Sequence, residues 1–396
     1  MTHRQLKAGY FTLAGLNTLA TSYYFNYLFF FFRDRFGFGN RENLWASALC
    51  GFIYIFAAWQ CGKFAARSGR VLSVKIGFIS LAAVMVCGAL AHGVIAQLAV
   101  LAAYSVVLLL TWPALEALVS ERETRAGMQE MVGIYNCTWA GAAAFAYFTG
   151  GKLYDALGTG AVFWLPAGIF FSQFLLLLWL EKHHAAVLAA TPEPLKEKHH
   201  APDSAVRNQP VSPQAFLKMA WLANPFAYIA INTLIAVMPG VAKTLALSPT
   251  QTGLFCSIWL FGRFAAFAAL WKWHGWHYRF RWLLGAFLLL IASLATILLA
   301  QQLWLVIVAQ VFFGLATGLI YYSSLFYAMD VGGASSEHGG LHEAFIGMGI
   351  FLGPATGAAA LTLAPQSANA GTWAVSALLT IGLGVLVWMR RHTRNQ

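Results

Sequence analysis

Three ionisable side chains lie inside long apolar stretches of this chain: Glu116, Glu343 and Arg263. A charged group in an apolar environment is costly, so residues of this kind are often functional. Desolvation favours the protonated form of a carboxyl, so either glutamate could bind and release a proton. The arginine could bind an anion or pair with an acid. Alternatively, the glutamates are gate or interface residues, and Arg263 extends its charge to the membrane surface.

The elements that must position these residues are membrane-spanning helices. The sequence is 59% hydrophobic and only 10% charged, whereas a soluble protein has about 25% charged residues. Apolar runs of about 20 residues recur along the chain, as expected for spanning helices. We predict an all-α integral membrane protein with spans near residues 8–32, 44–62, 71–93, 96–118, 128–150, 161–181, 215–239, 250–271, 282–300, 303–328, 340–363 and 372–389.

A polar, proline-containing stretch divides these spans into two sets of six. It covers residues 182–213 and has the composition of a linker. We therefore predict a first bundle over 1–181, a cytoplasmic linker over 182–213 and a second bundle over 214–396.

The distribution of the basic residues indicates the orientation in the membrane. The net charge is +11, but Lys and Arg occur mainly in alternate short loops, which is the positive-inside pattern and not that of a nucleic-acid-binding protein. With the N-terminus inside, nineteen of the 25 Lys and Arg residues lie inside or at the inner interface. We expect a multi-pass protein of the cell inner membrane with both termini in the cytoplasm.

The segment between spans 2 and 3 carries the most informative motif. It reads Gly62-Lys63-Phe64-Ala65-Ala66-Arg67-Ser68-Gly69-Arg70, and we predict a tight loop between a span ending near Cys61 and one starting near Val71. It resembles the Gly-x-x-x-Asp-Arg-x-Gly-Arg loop of the major facilitator superfamily, with Ala66 in place of the usual Asp. The resemblance implies a twelve-helix secondary transporter of two pseudo-symmetric bundles, which moves a small molecule by alternating access.

The resemblance also implies an inner gate, formed by Arg67 and Arg70 with carboxylates at the end of span 4; the candidates are Gly62, Arg67, Gly69, Arg70, Glu121 and Glu123. Alternatively, these arginines only set the topology. A second pattern, in span 11, is similar to one that the family's antiporters carry in span 5. Its small residues allow close helix packing and its proline bends the helix: Gly349, Gly353, Pro354 and Gly357. Packing alone is the other interpretation.

Residues on spans that line the cavity in the family are candidates for a binding site. They are Asn17, Tyr23, Tyr24, Asn26, Trp112, Tyr135, Asn136, Trp259, Arg263, Tyr321 and Tyr322. An aromatic cavity with few charges suits an amphipathic or apolar organic molecule. We expect this cargo, the lipid bilayer and protons to be the partners, and we expect a monomer.

The halves also show a weak internal repeat. The stretch Trp112–Glu116 in span 4 parallels Tyr321–Leu325 in span 10, and each leads to an acid, Glu121 and Asp330. Two related six-helix halves agree with the resemblance.

Two other functions remain open, a membrane-embedded metalloenzyme and a transporter-like sensor. The enzyme would use histidine pairs, of which His274 with His277 and His338 with His342 are the candidates. It would need more histidines near the same surface, and His183, His184, His199 and His200 lie in the predicted linker. The five cysteines have no CxxC spacing, and no ATPase-type phosphate loop occurs. We therefore expect a protein that is not an enzyme and that has no cofactor and no metal.

The topology is directly testable. Reporter fusions at Gly158 and Ala201 should report opposite sides of the membrane, because the basic loops alternate with that phase. The same side for both fusions would contradict the twelve-span arrangement.

Overall fold

The computed structural model describes residues 1–191, 211–332 and 336–393, and the regular structure in these ranges is helical. The first half contains α1 His3–Phe36, α2 Asn40–Ser68, α3 Arg70–Leu90, α4 Val94–Val107, a 3-10 turn Leu108–Leu110, α5 Trp112–Val119, α6 Arg125–Leu157 and α7 Ala161–Ala190. The second half contains α8 Pro213–Thr244, α9 Pro249–Cys256, α10 Ile258–Lys272, α11 Phe280–Leu299, α12 Leu303–Gly332, α13 Ser336–Leu363 and α14 Ala370–Thr393.

Ten of the predicted spans are long and apolar enough to cross a membrane by length and composition. Two of these are formed in two pieces, by α4 with α5 and by α9 with α10. The other two spans are α1 and α6, which are long helices of 34 and 33 residues but more polar. Their polarity has a structural reason, because buried polar residues such as Asn17, Thr18 and Asn136 lie on them.

Several helices continue beyond their apolar runs, and this corrects two predictions. The predicted loop Gly62–Arg70 is helical except at Gly69, whose φ of 92° is favourable only for glycine. The predicted linker is helical over 182–190, where the sequence has no proline before residue 192. His184 Nδ1 lies 2.7 Å from the Tyr10 hydroxyl and fixes this extension to α1. Residues 192–210 of the predicted linker lie outside the described residues.

The two halves meet along two seams. In one seam α2 packs along α13, and in the other α6 packs against α9 and α10. Both seams include backbone contacts that leave no room for a side chain. A Cβ atom on Gly51 would overlap the backbone of Phe351, and one on Gly151 would overlap the carbonyl of Pro249. Small residues thus let helices of different halves touch directly.

Two spans are interrupted near their middle. In span 4, Pro113 begins α5 and cannot donate a backbone hydrogen bond; Ser73 Oγ donates to the Leu110 carbonyl at 2.9 Å. In span 8, Gln310 Nε2 donates to the Phe255 carbonyl at 2.9 Å, next to the break at Ser257. Breaks at membrane depth are tolerated where side chains satisfy the freed backbone groups.

One end of the α6–α9 seam is held by a single carboxylate. Asp155 Oδ2 accepts hydrogen bonds from the backbone N–H of Thr250 at 2.9 Å and from its hydroxyl at 2.5 Å.

We predict that Asp155→Ala separates the halves at this end. In a cysteine-free background, spin labels at positions 159 and 244 should show a new, longer distance. Lys152→Gln, on the same exposed turn, is the control, and an unchanged distance distribution in Asp155→Ala would refute the prediction.

Candidate functional site

Two carboxyl groups from opposite halves come together in the interior. Glu116 lies on α5 and Glu343 on α13, and they are close enough to interact electrostatically. Both are partly exposed, so they border space that solvent reaches. The hydroxyl of Tyr54, on α2, donates to Glu343 Oε2 at 2.6 Å. This hydrogen bond joins the two halves at the carboxyl pair.

Arg263 lies in the same interior, surrounded by aromatic rings. Its side chain is buried, with 3% of the residue exposed. The guanidinium carbon is 4.8 Å from the ring centroid of Trp139, 5.1 Å from Tyr321, 5.5 Å from Phe267 and 5.9 Å from Tyr228. Trp139 belongs to the first half and the other three rings to the second, so the arginine also lies between the halves.

The rings stabilise the charge of Arg263 but leave two of its nitrogen atoms without acceptors. A cation over an aromatic face gains about 2 kcal/mol when desolvated. The Nε and Nη2 atoms are nonetheless buried with no hydrogen-bond partner within the described ranges. Each buried donor left unsatisfied costs about 1–3 kcal/mol, more for a charged group.

Other polar groups in this interior are incompletely satisfied as well. The Tyr135 hydroxyl and Asn136 Nδ2 are buried without partners in the part of the chain that the structure describes. Asn136 Oδ1 accepts a hydrogen bond from Trp139 Nε1 at 3.0 Å. Asn17 Nδ2 donates to the Thr111 hydroxyl at 3.2 Å, beside the break in span 4. Unpaired polar groups around a cavity are the usual orienting groups of a binding site.

Two of the predicted cavity residues pack within single halves. Tyr24 is fully buried inside the first half, where its ring lies 4.5 Å from that of Tyr104. Trp259 is buried inside the second half, 5.6 Å from the ring of Phe313. Both helices are apolar on more than one face, so residue type alone did not show which face points between the halves.

The remaining candidates have other neighbours. Tyr23 packs on Tyr27, with centroids 5.4 Å apart, and Asn26 donates to the Ser22 carbonyl of its own helix. Tyr322 packs between Phe267 and Trp276, which lies in the loop after α10. Trp112 is half-buried at the start of α5.

Sequence reasoning missed four residues of the cluster: Tyr54, Trp139, Tyr228 and Phe267. For two of them a signal existed. Trp139 follows Tyr135 by four residues, and Phe267 follows Arg263 by four, so each shares a helix face with a predicted residue. Tyr54 and Tyr228 depend on how spans 2 and 7 face the other half, which the sequence does not show.

At the predicted inner end, the charged residues pair within the first half. Arg70 Nη1 lies 3.7 Å from Glu121 Oε1, and both side chains are substantially exposed. Glu123 pairs with Lys7 of α1 instead of an arginine, and Lys75 pairs with Glu181 at 2.7 Å. Arg67 is exposed at the end of α2 and makes no ion pair within the described ranges.

The small residues predicted in span 11 lie where α13 meets its neighbours. A Cβ on Gly349 or Gly353 would collide with the backbone of α8 at Pro225 or Ile229. Gly357 faces Leu44 of α2, and Pro354 lies within the helix.

The histidines form no metal centre in the described part of the chain, where no group of three or more candidate ligands occurs. The rings of His274 and His277 lie 5.3 Å apart in the loop after α10. Burial, and secondarily the adjacent His274, lowers the pKa of His277 to about 4. The side chains of His338 and His342 lie outside the described residues.

A separate cavity of about 200 Å³ lies at the opposite end of the second half. Its lining includes Asn40, Thr233, Gly240 and Gln301, and none of its lining residues is charged. It is distinct from the cluster around Glu116, Glu343 and Arg263, which contains the ionisable groups of the interior.

The fold is that of a multi-pass membrane transporter, and comparisons with known proteins identify its family. The sequence profile described as Major Facilitator Superfamily matches residues 10–229. The chain therefore belongs to this superfamily, whose members move small molecules across membranes. No curated protein sequence matches the chain significantly.

Solved structures of similar fold cover nearly the whole chain. The nucleoside transporter NupG is 14% identical with a TM-score of 0.67, over 98% of each chain. A bacterial homologue of the human lysosomal transporter Spinster, inward-facing and unoccupied, is 12% identical with a TM-score of 0.63, over 99% of this chain and 96% of the other. These likenesses concern the fold alone.

We predict that the cross-half hydrogen bond matters more for the conformational equilibrium than the Arg70–Glu121 pair. Tyr54→Phe removes a charge-assisted bond, and should shift the populations of the two access states about tenfold. Arg70→Ala removes an exposed pair and should shift them less than about fivefold. Labelling rates of a single cysteine placed in the interior measure both. A larger population shift in Arg70→Ala than in Tyr54→Phe would contradict this prediction.

Proposed function

We propose that this protein is a proton-coupled secondary transporter that moves a small amphipathic organic solute by alternating access. The observation that supports this most is the carboxyl pair. Glu116 and Glu343 come from opposite halves and meet in a partly exposed interior. Acids in such positions are commonly the proton sites of transporters.

The geometry suggests how protonation and movement are linked. Two like charges side by side in a poorly solvated interior repel, and a proton on the pair removes that repulsion. Because α5 and α13 belong to different halves, rocking of one half on the other changes the separation of the carboxyls and their hydration. The Tyr54 hydrogen bond to Glu343 would be made or broken in the same movement.

The cargo site in this proposal is the space bordered by the carboxyl pair, Tyr135, Asn136, Tyr321 and Arg263. Ring faces supply apolar contact, and the unsatisfied polar atoms supply orientation. In the inner gate of this proposal, Gly62, Arg67, Gly69, Arg70, Glu121 and Glu123 brace the inner end of the first half. Since Arg70 and Glu121 both belong to the first half, this pair holds α3 to the end of span 4 and does not join the halves. We place the protein in the inner membrane as a monomer with cytoplasmic termini.

A thermal-shift screen of the purified protein against metabolites supplies a cargo, because a ligand of the folded state raises its apparent stability. With that cargo in proteoliposomes, Glu116→Gln should abolish accumulation driven by a pH gradient and retain exchange of cargo for cargo. Glutamine keeps the size of the side chain and mimics its protonated form. Exposed Glu130→Gln is the matched control and should behave like the parent.

Two other outcomes of this transport experiment would change the proposal. If Glu116→Gln still accumulates cargo on a pH gradient, Glu116 is not the coupling residue, and Glu343→Gln is tested in its place. If the parent protein transports but ignores the pH gradient, the proposal of proton coupling fails and the protein is a facilitator.

A further inference from the structure

We infer that Arg263 binds the anionic group of the cargo, and hence that the substrate class is amphipathic organic anions, above all carboxylates with an aromatic or apolar body. This inference rests on the proposed function, in which the interior between the halves carries the cargo. It names the chemical class, which the fold alone does not give.

The guanidinium has donors to offer. Its Nε and Nη2 atoms are buried and have no hydrogen-bond partner within the described residues. The four rings around it lie 4.8–5.9 Å from the guanidinium carbon. The Tyr228 hydroxyl is within hydrogen-bond reach of the guanidinium, but it leaves Nε and Nη2 without a partner in the described residues. A carboxylate matches the planar fork of arginine with two parallel hydrogen bonds. A neutral amide provides one acceptor oxygen and no charge, and an ammonium group would be repelled.

No acid of the described chain neutralises Arg263. It takes part in none of the ion pairs within the described ranges. Tyr228 and Tyr321 interact electrostatically both with the two interior carboxyls and with the arginine, so they connect the negative end of the interior, Glu116 and Glu343, to its positive end, Arg263. Within the described ranges no carboxylate forms an ion pair with the positive end.

The surroundings fit the body of such a ligand. Trp139, Tyr228 and Tyr321 are partly exposed, whereas Arg263 and Phe267 behind them are buried. A ligand would enter along the exposed ring faces and extend its acid group to the guanidinium. Rings from both halves contact the same charge, so an anion bound there would touch the first half through Trp139 and the second through the other three.

The two ends of the interior should also be linked. Ionised Glu116 and Glu343 repel an incoming anion, and protonation removes this repulsion, so anion affinity should rise as the pH falls. The other titratable or charged groups that face the carboxyl pair in the described structure are Tyr54, Tyr135, Tyr228, Tyr321 and Arg263. We therefore assign the expected pH dependence of anion affinity to the carboxyl pair.

The test uses matched head groups on the purified full chain. A set of acids, from acetate to decanoate and from benzoate to phenylbutyrate, is titrated calorimetrically beside the amide and the amine of each carbon skeleton, with the uncharged nucleoside uridine. At least one carboxylate should bind at least about 30-fold more tightly than the amide of the same carbon skeleton. In Arg263→Gln the carboxylate and the amide should bind with equal affinity. Arg263→Lys should retain part of the affinity. Arg41→Gln, an exposed arginine, is the control.

Binding is measured without transport, so the two proposals can fail separately. A carboxylate that binds through Arg263 but is not carried would overturn the transport function and leave the anion site. Carriage or binding of an amine or uridine in preference to every carboxylate, or a carboxylate preference that survives in Arg263→Gln, would overturn the anion site. So would the absence of binding by any acid in the set. If Arg263→Gln does not fold, the parent protein supplies the test. It should bind a carboxylate more tightly than the matching amide, and its affinity for the carboxylate should rise as the pH falls; the absence of either result would overturn the anion site.

Discussion

The constraint on which the structure depends is that charges and backbone polar groups have no water to bind inside the membrane. Where spans 4 and 8 break, Ser73 and Gln310 supply the missing hydrogen-bond donors to the freed carbonyls. The same rule makes the three interior charges conspicuous. The Tyr54 hydroxyl donates a hydrogen bond to Glu343, and the Arg263 guanidinium makes a cation–π contact with Trp139. None of them forms an ion pair with an opposite charge in the described chain, and our proposals of a proton site and an anion site rest on this.

The architecture could be predicted from sequence because a spanning helix is a local property of composition and length. The helix ends could not, because they depend on what lies beyond the apolar run. The Gly62–Ser68 segment stays helical since only Gly69 has a backbone conformation that stops the helix. Residues 182–190 stay helical since His184 and the buried Val187 have partners on the first half. Polar composition therefore did not show where these helices end.

The residues of the interior cluster were predicted only in part. One reason explains each residue that was not predicted or that packs elsewhere. A helix that is apolar all round gives no periodic signal for the face that points between the halves. Glu116, Glu343 and Arg263 were identified because charge in an apolar run is visible in the sequence. Tyr24 and Trp259 were assigned to the cavity by residue type and lie in the packing of single halves. Tyr54 acquires its role only from the contact of α2 with α13.

The two halves share an architecture and differ in chemistry at the predicted inner end. In the first half, ion pairs tie α3 and α1 to the end of span 4 and to the turn after it. At the corresponding place in the second half, the Tyr278 hydroxyl donates to Asp330, and the backbone N–H of Tyr278 donates to the Tyr327 hydroxyl at 2.9 Å. The interior charges are divided in the same unequal way, with the cation on the second half alone and one carboxyl on each half. A bound anion and a bound proton would then each be held by groups from both halves, and each would favour the other by an equal factor.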